Sequence, residues 1–265
     1  MTITAPTVIV TGASRGLGRS IVLQAILSKD ANVIGVARSK ENLESLAHHI
    51  EHDLKLPNRF KFVVGDVTLE STTKEALALA ADSWSGQVNG FVFNAGVVDP
   101  IARISHGATV DEWKNTFDIN FFSIVSATQL ALPALRESKG RLILVSSGAA
   151  VNPYVGWAAY CTSKAALKMF GECLAVEEPD VITVSIRPGV VDTDMQVFIR
   201  ENGNLGASGM LPNQHAEFRN LKESQKLLHP DEPGHVIASL SVDATKGQSG
   251  NFYSWNADDI VAHRK

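Results

Sequence analysis

Cysteine is scarce in this sequence, with only Cys161 and Cys173 among 265 residues. If both belong to one helix, their spacing sets them roughly 18 Å apart, whereas a disulfide joins Cα atoms about 6 Å apart. We therefore expect two free thiols and a reducing compartment, the cytoplasm. The N-terminal residues lack a charged n-region and a cleavage site, so we expect no secretory signal.

Basic clusters and membrane-spanning segments are also missing from the sequence. Lys and Arg total 24 against 28 acidic residues, which gives a net charge of −4 and argues against a nucleic-acid partner. The longest uncharged span, 142–163, contains serines, glycines and Pro153, which would leave unsatisfied polar groups in a bilayer. We therefore expect no membrane partner.

The histidines raise the question of a metal. His48 and His52 are four residues apart, with His49 between them and Glu44 one turn earlier, so the spacing could chelate a cation. A solvated, charged helix face is the favoured interpretation, since no cysteine ligand lies near. We expect no metal site.

Short apolar runs rich in Val and Ile alternate with segments compatible with helix, such as 39–51 and 68–84. Runs that are apolar throughout are typical of strands buried on both faces of a parallel sheet. The alternation predicts a doubly wound α/β fold of about seven strands with helices on both faces. The predicted strands are TVIVT (7–11), NVIGVA (32–37), FKFVV (60–64), GFVFN (90–94), RLILVS (141–146), VITVSI (181–186) and NFYSW (251–255).

Residues 190–230 depart from this alternation. The segment is long, contains glycines and is only weakly periodic. Long insertions of this kind often cover binding sites, so we predict a substrate lid there. No linker or internal repeat divides the chain, and we expect a single domain over 1–265.

The stretch VTGASRGLGR (10–19) places three glycines between the first predicted strand and the first predicted helix. Such a turn brings backbone N–H groups and a helix N-terminus to one point, which favours anions such as a pyrophosphate. The glycines permit the turn and let a phosphate approach closely. A tight turn without a ligand is the alternative, and the α/β pattern that follows argues against it.

The end of the second predicted strand indicates which dinucleotide binds. Folds that prefer NAD place an acid there for the ribose 2′-hydroxyl, but this sequence has Arg38, and Arg15 of the Gly-rich turn could project towards the same region. Guanidinium groups match a 2′-phosphate, so we predict NADP(H); two solvated surface arginines are the alternative. Asp66, after the third strand, could contact the adenine or cap the following helix.

Tyr160 and Lys164 form a Y-x-x-x-K motif, whose ends lie on one helical face. A free tyrosine has a pKa near 10, too high for efficient acid–base work at neutral pH. A cation about 4 Å away contributes about 4 kcal/mol at an effective dielectric near 20. The spacing therefore predicts that Lys164 lowers the pKa of Tyr160, by roughly three at most.

Several motifs occur together, in order and at matching spacing, over nearly the whole chain. They are TGASRGLG (11–18), FNAG (93–96), Asn120 within DINFFS, VSSGAA (145–150), YCTSK (160–164) and RPGVVDT (187–193). In combination they resemble the short-chain dehydrogenase/reductase family, with its Rossmann-type fold. More narrowly, segments such as GWAAYCTSKAAL and GQSGNFYSWN resemble the fungal benzil reductases, which are similar to sepiapterin reductases.

This resemblance implies roles for particular residues. Tyr160 would be the general acid in carbonyl reduction, and Lys164 would bind the nicotinamide ribose as well as lower the phenol pKa. Ser147 would bind the substrate oxygen, although its neighbour Ser146 could not be excluded by periodicity. Asn120 would hold a water that relays protons. Further cofactor contacts would come from Gly12, Ser14, Gly16, Leu17, Gly18, Val67, Asn94, Ala95, Gly96, Pro188, Gly189, Val191 and Thr193. The sequence has Phe93 where many members have asparagine, a change that we expect not to affect catalysis.

Candidate substrate contacts are mostly apolar or aromatic: Gly148, Ala149, Pro153, Tyr154, Trp157, Met195 and Phe198. Such a pocket suits a bulky, flat ketone or diketone, although ordinary packing also explains the aromatic residues. We predict an NADPH-dependent carbonyl reductase. The alternatives are a biosynthetic reductase of a pterin or a 3-oxoacyl chain, and a non-catalytic NADP(H) sensor. The resemblance and the apolar content of 110–137 and 157–178 predict a homodimer or homotetramer through those helices.

Overall fold

A computed structural model describes residues 5–84 and 86–264. Seven strands form one sheet in which each neighbouring pair is parallel, in the order β3-β2-β1-β4-β5-β6-β7. The strands are β1 (Thr7–Thr11), β2 (Asn32–Ala37), β3 (Phe60–Val64), β4 (Gly90–Phe93), β5 (Arg141–Val145), β6 (Ile182–Arg187) and β7 (Phe252–Ser254). The predicted doubly wound fold is therefore confirmed.

The described residues form nine α-helices, all of them between these strands in the chain. They are α1 (Gly16–Lys29), α2 (Lys40–His48), α3 (Glu70–Ala81), α4 (Val110–Phe117), α5 (Ser123–Ser138), α6 (Ala158–Glu177), α7 (Asp194–Asn202), α8 (Pro212–Glu223) and α9 (Asp231–Asp243). A π-helical turn at Asp118–Phe122 joins α4 to α5.

Alternate residues of the buried strands face opposite sides of the sheet, as a period of two requires. In β1, Val8 and Val10 pack in a core with α1 and α9, whereas Ile9 packs in a second core with α3, α5 and α6. Continuous apolar runs therefore supply both cores, which explains why the strands lack polar alternation.

The uncharged span 142–163 is divided among β5, a 3₁₀ turn and the start of α6. Among the described residues, no helix is long and apolar enough to cross a membrane. Cys161 and Cys173 both lie in α6 as free thiols, as predicted.

The histidine-containing helix ends earlier than expected. α2 gives way at His49 to a π-helical turn that continues to Asp53. The His49 ring and the Asp53 carboxylate are 2.9 Å apart, and the His48 and His52 rings have centroids 4.5 Å apart. The cluster therefore lies on one side of a single exposed helical segment.

Candidate active site

A cavity of about 660 Å³ opens at the carboxyl ends of β1, β2, β4, β5 and β6. The strand order reverses between β1 and β4, and ligands of open α/β sheets bind at such a switch point. The Gly-rich loop lines this cavity, and so does Tyr160. One continuous space therefore joins the predicted cofactor loop to the predicted acid.

The loop between β1 and α1 has a backbone that suits glycine. Gly12 and Gly16 have φ angles of 67° and 51°, in the left-handed region that side chains disfavour. A Cβ at Gly12 would lie 2.8 Å from the Asn94 amide nitrogen. The first turn of α1 has no side-chain cap and no acid, so its N–H groups are available to an anion. These residues fit the pyrophosphate of a dinucleotide.

Thr11 connects this loop to the cavity wall after β4. Its hydroxyl accepts from the backbone N–H groups of Asn94 at 3.0 Å and Ala95 at 3.1 Å, and the Asn94 amide donates to the Thr11 carbonyl at 3.0 Å. Phe93 stacks on Phe91 with ring centroids 4.3 Å apart. Sequence reasoning missed the role of Thr11, although a threonine ending an apolar strand is a recognisable signal.

Asp66 lines the cavity but does not cap α3, whose N-cap residue is Leu69. The Asp66 carboxylate accepts from the Thr68 backbone N–H at 2.9 Å and from its hydroxyl at 2.8 Å. These bonds, the backbone bond most strongly, hold the pKa of Asp66 below its usual value, and the nearby Arg38 adds to the effect. The alternative role of Asp66 as a helix cap was therefore wrong.

The two arginines have different surroundings. Arg38 follows β2 at the cavity rim, is exposed, and has no hydrogen-bond partner within the described part of the chain. Arg15 is paired within the protein: its Nη1 atom lies 2.5 Å from Oδ2 of Asp194, the first residue of α7. The expectation that both cations face one phosphate stays a prediction, and Asp194 is a partner of Arg15 that the sequence did not indicate.

The Y-x-x-x-K motif lies in the first two turns of α6, where Tyr160 and Lys164 are both buried. The Ser147 hydroxyl lies close enough to the Tyr160 phenol to lower its pKa, and its Oγ accepts from the Ala149 backbone N–H at 3.1 Å. Ser146 instead directs its hydroxyl to the Lys164 carbonyl at 3.4 Å. The geometry thus distinguishes the two serines, and Ser147 is the one that meets the phenol.

Burial, rather than the neighbouring cation, dominates the electrostatics of Tyr160. Burial raises the pKa of Tyr160 to about 12, and the hydrogen bond from Ser147 lowers it only in part. Burial also lowers the pKa of Lys164 to about 8. The Lys164 ammonium donates to the Val145 carbonyl at 3.0 Å and lies 5.9 Å from the Tyr160 ring centroid. The expected lowering of the Tyr160 pKa by Lys164 is therefore not seen in this structure.

Asn120 lies in the π-helical turn between α4 and α5 and is fully buried. Its Oδ1 accepts from the Val97 N–H, and its Nδ2 donates to the Val97 carbonyl, both at 2.8 Å. Nδ2 also donates to the Ser163 hydroxyl at 3.1 Å, which donates to the Tyr160 carbonyl at 2.8 Å. Both amide protons of Asn120 are therefore used within the protein. Ser163 was missed by sequence reasoning, although it belongs to the YCTSK motif.

The other end of the cavity has an aromatic wall. Trp157 stacks on Phe218 of α8 with centroids 5.2 Å apart and contacts Tyr154 at 4.9 Å and Tyr160 at 5.7 Å. Met195 also lines this part of the cavity. Sequence reasoning missed Phe218. Phe218 and the buried His215 are three residues apart, a spacing that indicates one face of a helix.

The cavity lining contains all the predicted cofactor residues and most of the predicted substrate residues. The lining residues among them are Gly12, Ser14, Arg15, Gly16, Leu17, Gly18, Arg38, Asp66, Val67, Asn94, Ala95, Gly96, Ser147, Gly148, Ala149, Tyr154, Trp157, Tyr160, Lys164, Pro188, Gly189, Val191, Thr193 and Met195. Asn120, Pro153 and Phe198 lie outside the lining, and Pro153 is exposed. The roles of Pro153 and Phe198 as substrate contacts stay predictions that the lining of this cavity does not support.

The predicted lid segment contains two helices, α7 and α8, although its sequence is only weakly periodic. Val191 and Leu228 form an isolated parallel bridge at its two ends. Met195, Ile199 and Phe218 face the cavity from these helices. The segment therefore forms one wall of the site.

A family model described as short chain dehydrogenase matches residues 6–204. The chain belongs to the short-chain dehydrogenase/reductase family and is an oxidoreductase; enzymes of this family use NAD(P)(H). An uncharacterized oxidoreductase of Saccharomyces cerevisiae is 43% identical over 251 residues, which cover 94% of this chain and 95% of that one. A benzil reductase ((S)-benzoin forming) of the same yeast is 41% identical over 253 residues, 91% and 93% of the two chains. A solved short-chain dehydrogenase/reductase from this yeast superposes with a TM-score of 0.91 at 40% identity, covering 98% of this chain and all of that one.

Proposed function

We propose that this protein is an NADPH-dependent carbonyl reductase of the cytoplasm that acts on bulky, apolar ketones or diketones. One observation carries the proposal: a single cavity is lined by a Gly-rich dinucleotide loop, Arg15 and Arg38 at one part and by Tyr160 and Ser147 at another. The cofactor and the reacting carbonyl would therefore meet in one space.

The nicotinamide of a bound cofactor would supply the hydride to the carbonyl carbon. Ser147 holds the carbonyl oxygen by a hydrogen bond, and Tyr160 transfers its phenolic proton to that oxygen, so that the ketone becomes an alcohol. Lys164, on the same helix face, would bind the ribose of the nicotinamide. Asn120 fixes the backbone of Val97 beside the site.

The proposed preference for NADP(H) depends on charge at the adenosine end of the cavity. The residues after β2 are Arg38 and Ser39, and the last residue of the strand is Ala37, so no acid lies where NAD-binding folds place one. Arg38 is exposed and without a hydrogen-bond partner among the described residues. A 2′-phosphate would provide Arg38 with a hydrogen-bond partner.

The proposed substrate class depends on the aromatic wall. Tyr154, Trp157 and Phe218 present flat apolar surface next to Tyr160. Benzil is a diketone that carries two phenyl groups, and a relative that is 41% identical over most of its length is a benzil reductase. An aromatic diketone is therefore the first substrate to test.

The test compares the parent with Tyr160→Phe, which removes only the phenolic hydroxyl. We expect the parent to consume NADPH with benzil faster than with a pterin or a 3-oxoacyl thioester. The variant should bind NADPH with nearly the parent affinity and lose turnover, measured by fluorescence titration and single-turnover kinetics. A variant rate within tenfold of the parent would exclude Tyr160 as the acid, and NADPH binding without turnover of any substrate would favour a sensor.

A further inference from the structure

The ion pair between Arg15 and Asp194 joins the two sides of the cavity mouth. Arg15 is the N-cap residue of α1, and Asp194 is the first residue of α7. Their side chains are 66% and 65% exposed, and both residues line the cavity. The backbones are also close here, because a Cβ on Gly16 would lie 3.1 Å from the Thr193 methyl group.

An exposed ion pair of this kind is easily exchanged for a stronger one. Double-mutant measurements on exposed pairs give small coupling energies. A phosphate monoester carries close to two negative charges and three acceptor oxygens, and it takes two parallel N–H bonds from one guanidinium. A phosphate within reach of Arg15 would therefore displace the Asp194 carboxylate.

We propose that Asp194 competes with the 2′-phosphate of the cofactor for Arg15, and so adjusts both the affinity for NADP(H) and its discrimination from NAD(H). The inference depends on the proposed NADP(H) function. NAD(H) has no 2′-phosphate, so it leaves Arg15 paired with Asp194. NADP(H) draws Arg15 away and releases the start of α7 from the Gly-rich loop.

A neighbouring carboxylate provides a matched control. Asp192 is two residues before Asp194 in the same wall, and its Oδ2 atom lies 2.7 Å from Nζ of Lys222 in α8. Asp192→Asn removes the same charge from the same segment without touching Arg15. Asp194→Asn keeps the shape of the side chain at the start of α7 and removes the competing charge.

The experiment measures dissociation constants for NADPH and NADH by fluorescence titration in the parent, Asp194→Asn, Asp192→Asn, Arg15→Gln and the Arg15→Gln/Asp194→Asn double variant. Calorimetry with adenosine 2′,5′-bisphosphate and with AMP isolates the 2′-phosphate from the nicotinamide. We expect Asp194→Asn to bind NADPH and the bisphosphate about two- to fivefold more tightly, the equivalent of one exposed ion pair. Its affinity for NADH and AMP should stay at the parent value, and in the Arg15→Gln background the substitution should have no effect.

Three results would overturn the inference: unchanged NADPH affinity in Asp194→Asn, equal tightening for NADH, or the same gain in Asp192→Asn. Each would show that Asp194 does not act through Arg15 on the 2′-phosphate. A parent that binds neither NADPH nor the bisphosphate would instead contradict the proposed function. The two failures are therefore distinguishable.

Discussion

Replacing Lys164 by methionine should stabilise the protein at neutral pH while abolishing reductase activity. Lys164 is 4% exposed, and burial lowers the pKa of its ammonium from 10.5 to about 8. That fall corresponds to about 3 kcal/mol by which burial disfavours the charged form. Methionine has a similar length and carries no charge, so it avoids this cost.

Part of the gain is offset by a lost hydrogen bond. The ammonium donates to the Val145 carbonyl at 3.0 Å, and leaving that buried acceptor unpaired costs about 1–2 kcal/mol. The net effect of Lys164→Met on the free energy of unfolding at pH 7 should therefore be a gain of about 1–2 kcal/mol.

The free energy of unfolding of the parent should depend on pH, because the pKa of Lys164 differs between the folded and the unfolded states. The folded lysine loses its proton near pH 8, whereas the unfolded one keeps it to about 10.5. Between these values the unfolded state binds more protons, so the parent becomes more stable as the pH rises. Tyr160 acts in the opposite sense, because its pKa is raised from 10.0 to about 12, and its stabilisation is present below pH 10 and lost towards pH 12. Tyr160 therefore changes little between pH 7 and 9.5. Burial also raises the pKa of Cys161, but that thiol is common to the parent and the variant, so the difference in stability between them reports Lys164.

Urea unfolding at pH 7 and pH 9.5 is the assay. The advantage of Lys164→Met should shrink by about 2 kcal/mol between the two conditions, since the parent sheds most of its penalty. Lys168→Met is the control, because Lys168 lies one turn further along α6, is partly exposed and pairs with Glu172. A Lys164→Met variant that is less stable at pH 7, or whose advantage does not change with pH, would refute the reasoning.

The remaining predictions concern positioning, cofactor choice and assembly. Ser163→Ala should lower kcat by about tenfold with unchanged NADPH affinity, because it breaks the link between Asn120 and the Tyr160 backbone. The size of the effect corresponds to the loss of about one hydrogen bond. Unchanged kcat in steady-state assays would contradict this. Ala37→Asp with Arg38→Leu should reverse a preference for NADPH of about 30- to 1000-fold, since each charge-assisted hydrogen bond contributes about 1.5–3 kcal/mol and solvent exposure reduces that contribution. The measurement is kcat/KM for both cofactors. A retained preference would show that Arg38 is only a surface charge. Sedimentation at micromolar concentration should show a dimer or tetramer, because Val110 of α4, Phe122 of the π-helical turn before α5, and Met169 of α6 are exposed. A 28.5 kDa species alone would argue against it.

The sheet could be predicted closely because its strands are continuous apolar runs bounded by polar or glycine residues. The bounds of β1, β2 and β3 agree with the sequence, and β6 is displaced by one residue. α8 was not predicted, since most of its surface is polar and only His215 and Phe218 are buried. Its position depends on the aromatic wall that it meets, which a local pattern does not encode.

The candidate site was predictable where it follows helix and strand geometry. The spacing of Tyr160 and Lys164 placed them on one face of α6, and the order of motifs placed the glycines at the same cavity. The partner of Arg15 was not predictable, because Asp194 is 179 residues away in sequence. The pKa of Tyr160 was not predictable either, since a Coulomb estimate for one pair omits the cost of burying both groups.

The raised pKa of Tyr160 bears on the direction of the proposed reaction. Reduction of a carbonyl needs the protonated phenol as a donor, whereas oxidation of an alcohol needs the phenolate as an acceptor. With a pKa of about 12, the phenol keeps its proton throughout the neutral range. The Ser147 hydroxyl offsets part of this rise in pKa, and it is the group that we propose to bind the oxygen of the substrate. The electrostatics of this cavity therefore favour the protonated phenol, which is the form that the proposed reduction requires as its proton donor.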